Sequence, residues 1–255
     1  MVNIFSCRVG LFKSLDTAFK SLPEAGILHA EVDPPSDGDY ASLSAKASAA
    51  GITIATLSTG LNLDTDETTA MFLPVIDGAA AIGVPKIFVS AKAQDSVPWQ
   101  KVLMRLRRTA AYAAGRGVTI CLETHPPYGT NGDVARQTMK AVDSPGLRYN
   151  FDTANVYYYN QGTDSVTELL KIKEYVASVH IKETDGGYHS PRFPALGEGV
   201  VKFAEVFRIL LLEGFIGPYT LEIEGDVVQN YDDNQRLEFL KKCVGHMRSL
   251  GVMKA

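Results

Sequence analysis

The sequence predicts an α/β fold, a single-domain (β/α)8 TIM barrel that spans residues 1–255. Strand-like apolar segments alternate with helix-period segments along the whole chain, and the alternation gives about eight units. A length of 255 residues is also typical of one such barrel. A doubly wound sheet usually has fewer strands and a Gly-rich phosphate turn after the first one, and Arg8–Phe12 offers no such turn. We therefore expect one closed barrel.

The predicted strands are short, rich in β-branched and aromatic residues, and bounded by Gly, Pro, Asn or Asp. They lie at Asn3–Gly10, Ile27–Val32, Ile52–Leu57, Lys86–Ser90, Val118–His125, Leu147–Asp152, Val176–Lys182 and Tyr219–Glu224. The segments between them have helical spacing or helix-forming composition, and several end at Gly or Pro. These helices are predicted at Ser14–Leu22, Asp39–Ala50, Thr68–Ile82, Trp99–Arg116, Asp133–Val142, Asp164–Tyr175, Lys202–Leu212 and Asn234–Leu250. A long loop, Glu183–Gly199, precedes the seventh helix.

Composition narrows the classes of partner. The formal net charge is −4, and no basic run is long enough to follow a nucleic-acid backbone, so a nucleic-acid partner is not expected. No apolar run could span a bilayer, and the first residues lack a signal-peptide pattern, which predicts a cytoplasmic protein without a membrane partner. The three cysteines are interpreted as free thiols in a reducing compartment. Barrels often pair through their outer helices, so a homo-oligomer is left open.

Polar side chains stand at the carboxyl ends of four predicted strands. Val118–His125 (VTICLETH) alternates, so Glu123 and His125 lie on its polar face, and the strand stops at two prolines. Later strands end with Asp152, with His180, and with the pair Glu222 and Glu224. Functional sites of α/β barrels are built at these strand ends, where four such ligands would suit a divalent cation. The alternative is a rim of ion pairs, which would leave a net negative cavity without a cation.

Spacing also suggests two layers of inward side chains. Lys182 follows His180 by two residues, and Glu224 follows Glu222 by the same interval. This two-residue spacing favours Glu222 over Glu224 as the deeper ligand, although spacing alone leaves that choice open.

Several segments together resemble the xylose isomerase-like TIM-barrel superfamily. They are LETHPPYG, NFDTANV, HIKE, LGEGVVKF and YTLEIEG, in this order along the chain. The superfamily includes sugar and sugar-phosphate isomerases and epimerases, inosose and 3-dehydroshikimate dehydratases, and endonuclease IV. The resemblance implies that one divalent ion (Mn, Co, Mg or Zn) is bound by Glu123, Asp152, His180 and Glu222. It also implies that Glu123 and Glu222 are catalytic, one removing a proton α to a carbonyl and the other returning it.

Further residues are expected on the substrate side of this site. They are His125, Asn155, Lys182, Arg192 and Glu224. Two positions depart from the ketose epimerases: Asn155 stands where those enzymes usually carry a histidine, and Gly129 where they place a glutamate. These departures weaken a ketose 3-epimerase assignment and leave the metal site intact.

The leading hypothesis is a metal-dependent isomerase or epimerase of carbohydrate metabolism that acts on a small sugar, keto-sugar or polyol. A lyase acting on a keto-cyclitol or 3-keto sugar shares its first step and is the main alternative. An endonuclease IV-like nuclease is disfavoured, because that enzyme uses many histidines and this chain has five. A non-catalytic scaffold is disfavoured because unused buried carboxylates are costly.

Overall fold

A computed structural model describes residues 3–253 of the chain. Its eight parallel strands form one closed barrel in sequence order. The strands are β1 (Phe5–Arg8), β2 (His29–Val32), β3 (Thr53–Asn62), β4 (Lys86–Lys92), β5 (Thr119–Glu123), β6 (Leu147–Asp152), β7 (Val176–Ile181) and β8 (Tyr219–Leu221). The predicted fold class is confirmed.

The helices follow the strands in the expected alternation. They are α1 (Leu15–Glu24), α2 (Tyr40–Ala49), α3 (Asp66–Ala70), α4 (Leu73–Ala81), α5 (Trp99–Ala114), α6 (Gly132–Val142), α7 (Asn155–Tyr159), α8 (Ser165–Ile172), α9 (Phe203–Leu212) and α10 (Asp233–Ser249). Among residues 3–253, no helix combines the length and apolarity that a membrane span requires. The three cysteines are buried and free, as predicted.

Three elements differ from the sequence prediction. The single helix expected at Thr68–Ile82 is divided into α3 and α4, and Pro74 lies in the first turn of α4, where its missing N–H costs no hydrogen bond. The short helix α7 was not expected. Strand β8 ends at Leu221, so Glu222 and Glu224 lie just beyond the strand rather than within it.

Side-chain alternation divides the barrel into an apolar outer layer and a polar interior. The outward residues pack under the helices, and six of them are at most 1% exposed: Leu57, Ile87, Ile120, Leu122, Val179 and Ile181. Burial of each such side chain stabilises the fold by roughly 1.5–3 kcal/mol. The intervening residues point inward, where hydroxyls and amides pair with one another, as Ser6 does with Thr220 (2.6 Å). The barrel lumen can therefore accommodate charged groups.

Strand register brings the predicted site residues to one end of this lumen. Asp152 on β6 lies beside His180 on β7, and His180 lies beside Thr220 on β8, two residues before Glu222. Strand β1 pairs with both β2 and β8, which places Arg8 beside Glu31. Side chains from both ends of the sequence therefore meet at the carboxyl end of the barrel.

Candidate metal centre and catalytic cavity

Asp152, His180 and Glu222 form a compact ligand cluster at the carboxyl end of the barrel. One ligand atom from each lies within 4.8 Å of the other two. His180 Nδ1 is 3.2 Å from Glu222 Oε2 and 4.0 Å from Asp152 Oδ2, and all three side chains are buried. Within residues 3–253, these same three atoms have no hydrogen-bond partner. Buried polar atoms are normally satisfied, so a shared divalent cation fits this arrangement.

The other polar atom of each ligand is anchored. Asp152 Oδ1 accepts the N–H groups of Ala154 (2.8 Å) and Asn155 (2.9 Å), and so caps the unexpected helix α7. Glu222 Oε1 accepts a charged hydrogen bond from Arg8 Nη1 at 2.6 Å. These contacts leave the second oxygen of each carboxylate directed at the cluster.

His180 is anchored in the same way by Glu31. Its Nε2 lies 3.1 and 3.2 Å from the two oxygens of Glu31, which is itself completely buried on β2. The imidazole also stacks on the ring of Phe88, with centroids 4.4 Å apart. A proton held on Nε2 by Glu31 leaves the Nδ1 lone pair free for a metal ion.

Sequence reasoning missed both Arg8 and Glu31. Each is the charged residue at or next to the last position of a short strand. The same criterion that selected Asp152 and His180 would have selected them, had it been applied to the first two strands.

Lys182 is the cation nearest to the cluster. Its Nζ lies 2.6 Å from Glu222 Oε2, 3.1 Å from Asp152 Oδ2 and 2.8 Å from Glu224 Oε1. The first two contacts are at ion-pair distance without hydrogen-bond geometry, which is why both oxygens remain unsatisfied. Asn155 Oδ1 accepts a weaker hydrogen bond from the same ammonium at 3.3 Å. Lys182 and Glu224, which the inward spacing assigned to a second layer, are therefore in contact with each other, and Lys182 also contacts two of the ligands.

Burial and the charges of neighbouring side chains set the protonation states of Asp152, Glu222 and His180. Burial is the strongest influence on Asp152 and raises the pKa of its carboxyl to about 7, against the attraction of Lys182. Burial also opposes ionisation of Glu222, but Lys182 and His180 outweigh it and hold the pKa of Glu222 well below its usual range. The pKa of His180 is raised well above its ordinary value, because Glu31 and Glu222 outweigh the effect of burial. A cation at the cluster would replace the proton on His180 Nδ1.

Glu123 stands beside the three-ligand cluster rather than within it. Its two oxygens accept hydrogen bonds from Ser90 Oγ and from Asn155 Nδ2, the latter at 3.1 Å. Burial and the negative charge of Glu222 raise the pKa of its carboxyl. Three of the four expected ligands thus converge, while the fourth is held at the wall of the adjoining cavity.

A cavity of about 490 Å³ opens above the cluster. Five of the site residues expected from the sequence line it: Glu123, Asn155, Lys182, Glu222 and Glu224. Two others do not. The ring of His125 packs against Tyr159 and bonds to the carbonyl of Pro126, and Arg192 is exposed to solvent.

The long loop after β7 closes over this region through Phe193, and its base is fixed by Glu183. The Phe193 ring centroid lies 5.1 Å from Lys182 Nζ. The buried Glu183 carboxylate accepts the N–H groups of Thr184 (3.0 Å), Gly197 (2.9 Å) and Val201 (3.0 Å). The loop therefore contacts the site through an apolar ring and not through the expected arginine.

Known proteins share this barrel and parts of its sequence. The chain is 27% identical over 146 residues to an inosose dehydratase from Yersinia enterocolitica, a match that covers 50% of this chain and 48% of that protein. It is 31% identical over 121 residues to an L-ribulose 3-epimerase from Methylomonas sp., covering 46% of this chain and 39% of the relative. The matches thus span about half the length of these curated relatives or less.

A solved structure extends the likeness to nearly the whole fold. A xylose isomerase-like TIM barrel protein from Mycobacterium smegmatis, in complex with magnesium, superposes with a TM-score of 0.76 at 18% identity, covering 98% of each chain. The sequence profile described as xylose isomerase-like TIM barrel matches residues 19–243. The chain therefore belongs to the xylose isomerase-like TIM barrel family.

Proposed function

We propose that the protein is a divalent-metal-dependent isomerase or epimerase that acts on a small sugar, keto-sugar or related polyol. The observation that carries this proposal is the convergence of three unsatisfied buried ligand atoms, from Asp152, His180 and Glu222, the last of which also lines a polar cavity. The similarity to a dehydratase and an epimerase that act on polyhydroxylated compounds, as their names state, supports it.

Asp152, His180 and Glu222 would hold the ion, and Glu123 lies in the wall of the adjoining cavity. A bound Mn, Co, Mg or Zn ion would polarise the substrate carbonyl and stabilise the negative charge that develops when the neighbouring proton is removed.

Glu123 is the general base in this proposal. Its carboxylate is fixed by Ser90 and Asn155 at the cavity wall, and its raised pKa brings it nearer to the working pH, where a base is most effective. Proton transfer from the substrate carbon to Glu123 gives an enediol-type intermediate. Return of a proton to the neighbouring carbon isomerises the substrate, and return to the opposite face, by Glu222, epimerises it. Asn155, Lys182 and Glu224 would contact the substrate hydroxyls.

A lyase is the second candidate, and the contact between Arg8 and Glu222 favours it. This contact, together with Lys182, keeps Glu222 ionised, so it is a poor proton donor for the second half of an epimerisation. Gly129 also favours the lyase over a ketose epimerase. A Cβ there would clash with the carbonyl oxygen of Glu123, so the backbone leaves no room for the glutamate that ketose epimerases place at this position. In a dehydration, Glu123 would take the α-proton and pass it to the departing β-hydroxyl, so that water leaves, Glu123 is again ionised and a conjugated double bond remains.

Hydrogen exchange tests the shared step. Protein loaded with Mn²⁺ is incubated with ketoses and keto-cyclitols in heavy water, and loss of the α-hydrogen signal is followed by NMR. We expect exchange with at least one compound, its loss in Glu123→Gln, and its retention in Glu168→Gln, which alters a buried carboxylate on helix α8 away from the cavity. A new ultraviolet absorbance from an enone would assign the lyase. Absence of exchange across the panel would refute both.

The metal requirement has a separate test. Elemental analysis of the purified protein after reloading should find about one equivalent of divalent metal, and His180→Ala should lose it. A protein that retains no metal after reloading would contradict the proposal.

A further inference from the structure

The cavity above the candidate metal centre carries more negative than positive groups. Four carboxyl groups and two cations line it: Asp33, Glu123, Glu222 and Glu224, with Arg8 and Lys182. A bound divalent ion would balance the excess without adding a free positive group. The lining therefore provides no surplus positive charge for an anionic substrate.

Both cations are already paired. Arg8 donates to Glu222 at 2.6 Å, and its guanidinium carbon lies 5.9 Å from the centroid of the Phe88 ring. Lys182 contacts Asp152, Glu222 and Glu224 at 3.1 Å or less. A phosphate or carboxylate that approached either cation would compete with the buried carboxylate already paired to it, and weakening that pair is unfavourable.

Groups suited to hydroxyls remain available in the same cavity. Ser58 lines the cavity and is 2% exposed as a residue, and its buried hydroxyl has no hydrogen-bond partner within residues 3–253. Asp33 lies at the exposed rim, where the described part of the chain gives its side chain no hydrogen bond or ion pair. A substrate hydroxyl can accept from Ser58 and donate to Asp33, whereas an anion would be repelled by Asp33.

We propose that this cavity selects uncharged polyhydroxylated carbonyl compounds and rejects their phosphorylated and carboxylated forms. The chemistry at the carbonyl rests on the function proposed above. The charge selectivity rests only on the pairing of Arg8 and Lys182 and on the free carboxylate of Asp33.

Matched ligand pairs test the selectivity. Binding of D-ribulose, D-ribulose 5-phosphate, D-fructose and D-fructuronate to the Mn²⁺-loaded protein is measured by calorimetry, and hydrogen exchange is measured on the same samples. We expect the neutral member of each pair to bind about tenfold or more tightly than the charged member, because like charges would face each other across the cavity.

A rim variant supplies the control. Asp33→Asn should reduce the preference for the neutral ligand by about threefold, because it removes one solvent-screened charge from the rim. Asp37→Asn, an exposed substitution in the same loop but outside the cavity lining, should leave the preference unchanged.

The outcomes separate this inference from the proposed function. Tighter binding of the phosphorylated or carboxylated member overturns the selectivity and leaves the proposed reaction standing. Preferential binding of the neutral member without any hydrogen exchange supports the selectivity and counts against the reaction. Binding of no member, charged or neutral, overturns both.

Discussion

Replacing Glu31 by alanine should weaken the binding of a divalent ion by about 30-fold. The fully buried Glu31 carboxylate receives one charged hydrogen bond from His180 Nε2, shared between oxygens at 3.1 and 3.2 Å. A hydrogen bond to a charged group contributes about 1.5–3 kcal/mol. Loss of a partner that orients a metal-binding histidine typically costs about 10–100-fold in affinity, or about 1.4–2.7 kcal/mol. The two ranges overlap near 2 kcal/mol, which corresponds to about 30-fold.

The physical reason is the position of the imidazole proton. Without Glu31, the proton of the neutral ring can reside on Nδ1, the atom that faces Asp152 and Glu222, and the ring can turn about its side-chain bonds. Glu31→Gln retains a carbonyl acceptor, so its effect should be smaller, about fivefold.

Calorimetric titration with Mn²⁺ measures these affinities, and the visible spectrum of the Co²⁺ form reports the coordination. Glu168→Gln is the matched control, because Glu168 is also a buried carboxylate but pairs with Gly132, Thr163 and Lys171 outside the barrel lumen. It should lower thermal stability without changing metal affinity. A folded Glu31→Ala protein with wild-type affinity and an unchanged Co²⁺ spectrum would refute this role for Glu31.

Four further predictions rest on the contacts described above. Glu31 raises the pKa of His180 against the effect of burial, and the pKa of Asp152 lies at about 7. Because both groups must lose a proton before a metal ion binds, metal affinity measured between about pH 6 and about pH 8 should rise with pH. In the metal-free protein, the stability due to protonated His180 should be full below a pH of about 6.5 and lost as the pH rises through the raised pKa, which pH-dependent denaturation would detect. Glu183→Ala should lower the free energy of unfolding by about 3 kcal/mol and expose the following loop to limited proteolysis, because three backbone N–H groups lose their acceptor. Unchanged protease resistance would contradict this. Gly129→Ala should lower the free energy of unfolding by about 1–3 kcal/mol, measured by denaturant titration, because its Cβ would clash with the backbone of Glu123.

The fold and the ligand cluster could be predicted because they depend on local patterns. Strand and helix periods differ, and the repeated alternation determines the barrel before any contact is known. Asp152, His180 and Glu222 could be found because each lies at or just beyond a strand end, and parallel register then brings them together. The predicted second layer of Lys182 and Glu224 follows from the same inward spacing.

The remaining features depend on contacts that no local pattern encodes. Helix α7 begins where Asp152 accepts two backbone N–H groups, and no local pattern indicates that a candidate metal ligand also bonds to the start of a helix. Arg192 was expected over the mouth of the barrel from its place in the loop. The side chain that contacts the site is instead Phe193, one residue later, because the loop conformation is determined by the distant hydrogen bonds of Glu183.

Closure of the barrel also determines when the site can exist during synthesis of the chain. Glu222 requires Arg8 from β1, and His180 requires Glu31 from β2, so contacts across 214 and 149 residues must form before the ligands are oriented. A nascent chain that lacks the last strand has neither Glu222 nor the pairing between β1 and β8. A metal ion bound only by the completed barrel would therefore stabilise the finished protein over its partly synthesised forms, by an amount set by the metal concentration relative to its dissociation constant.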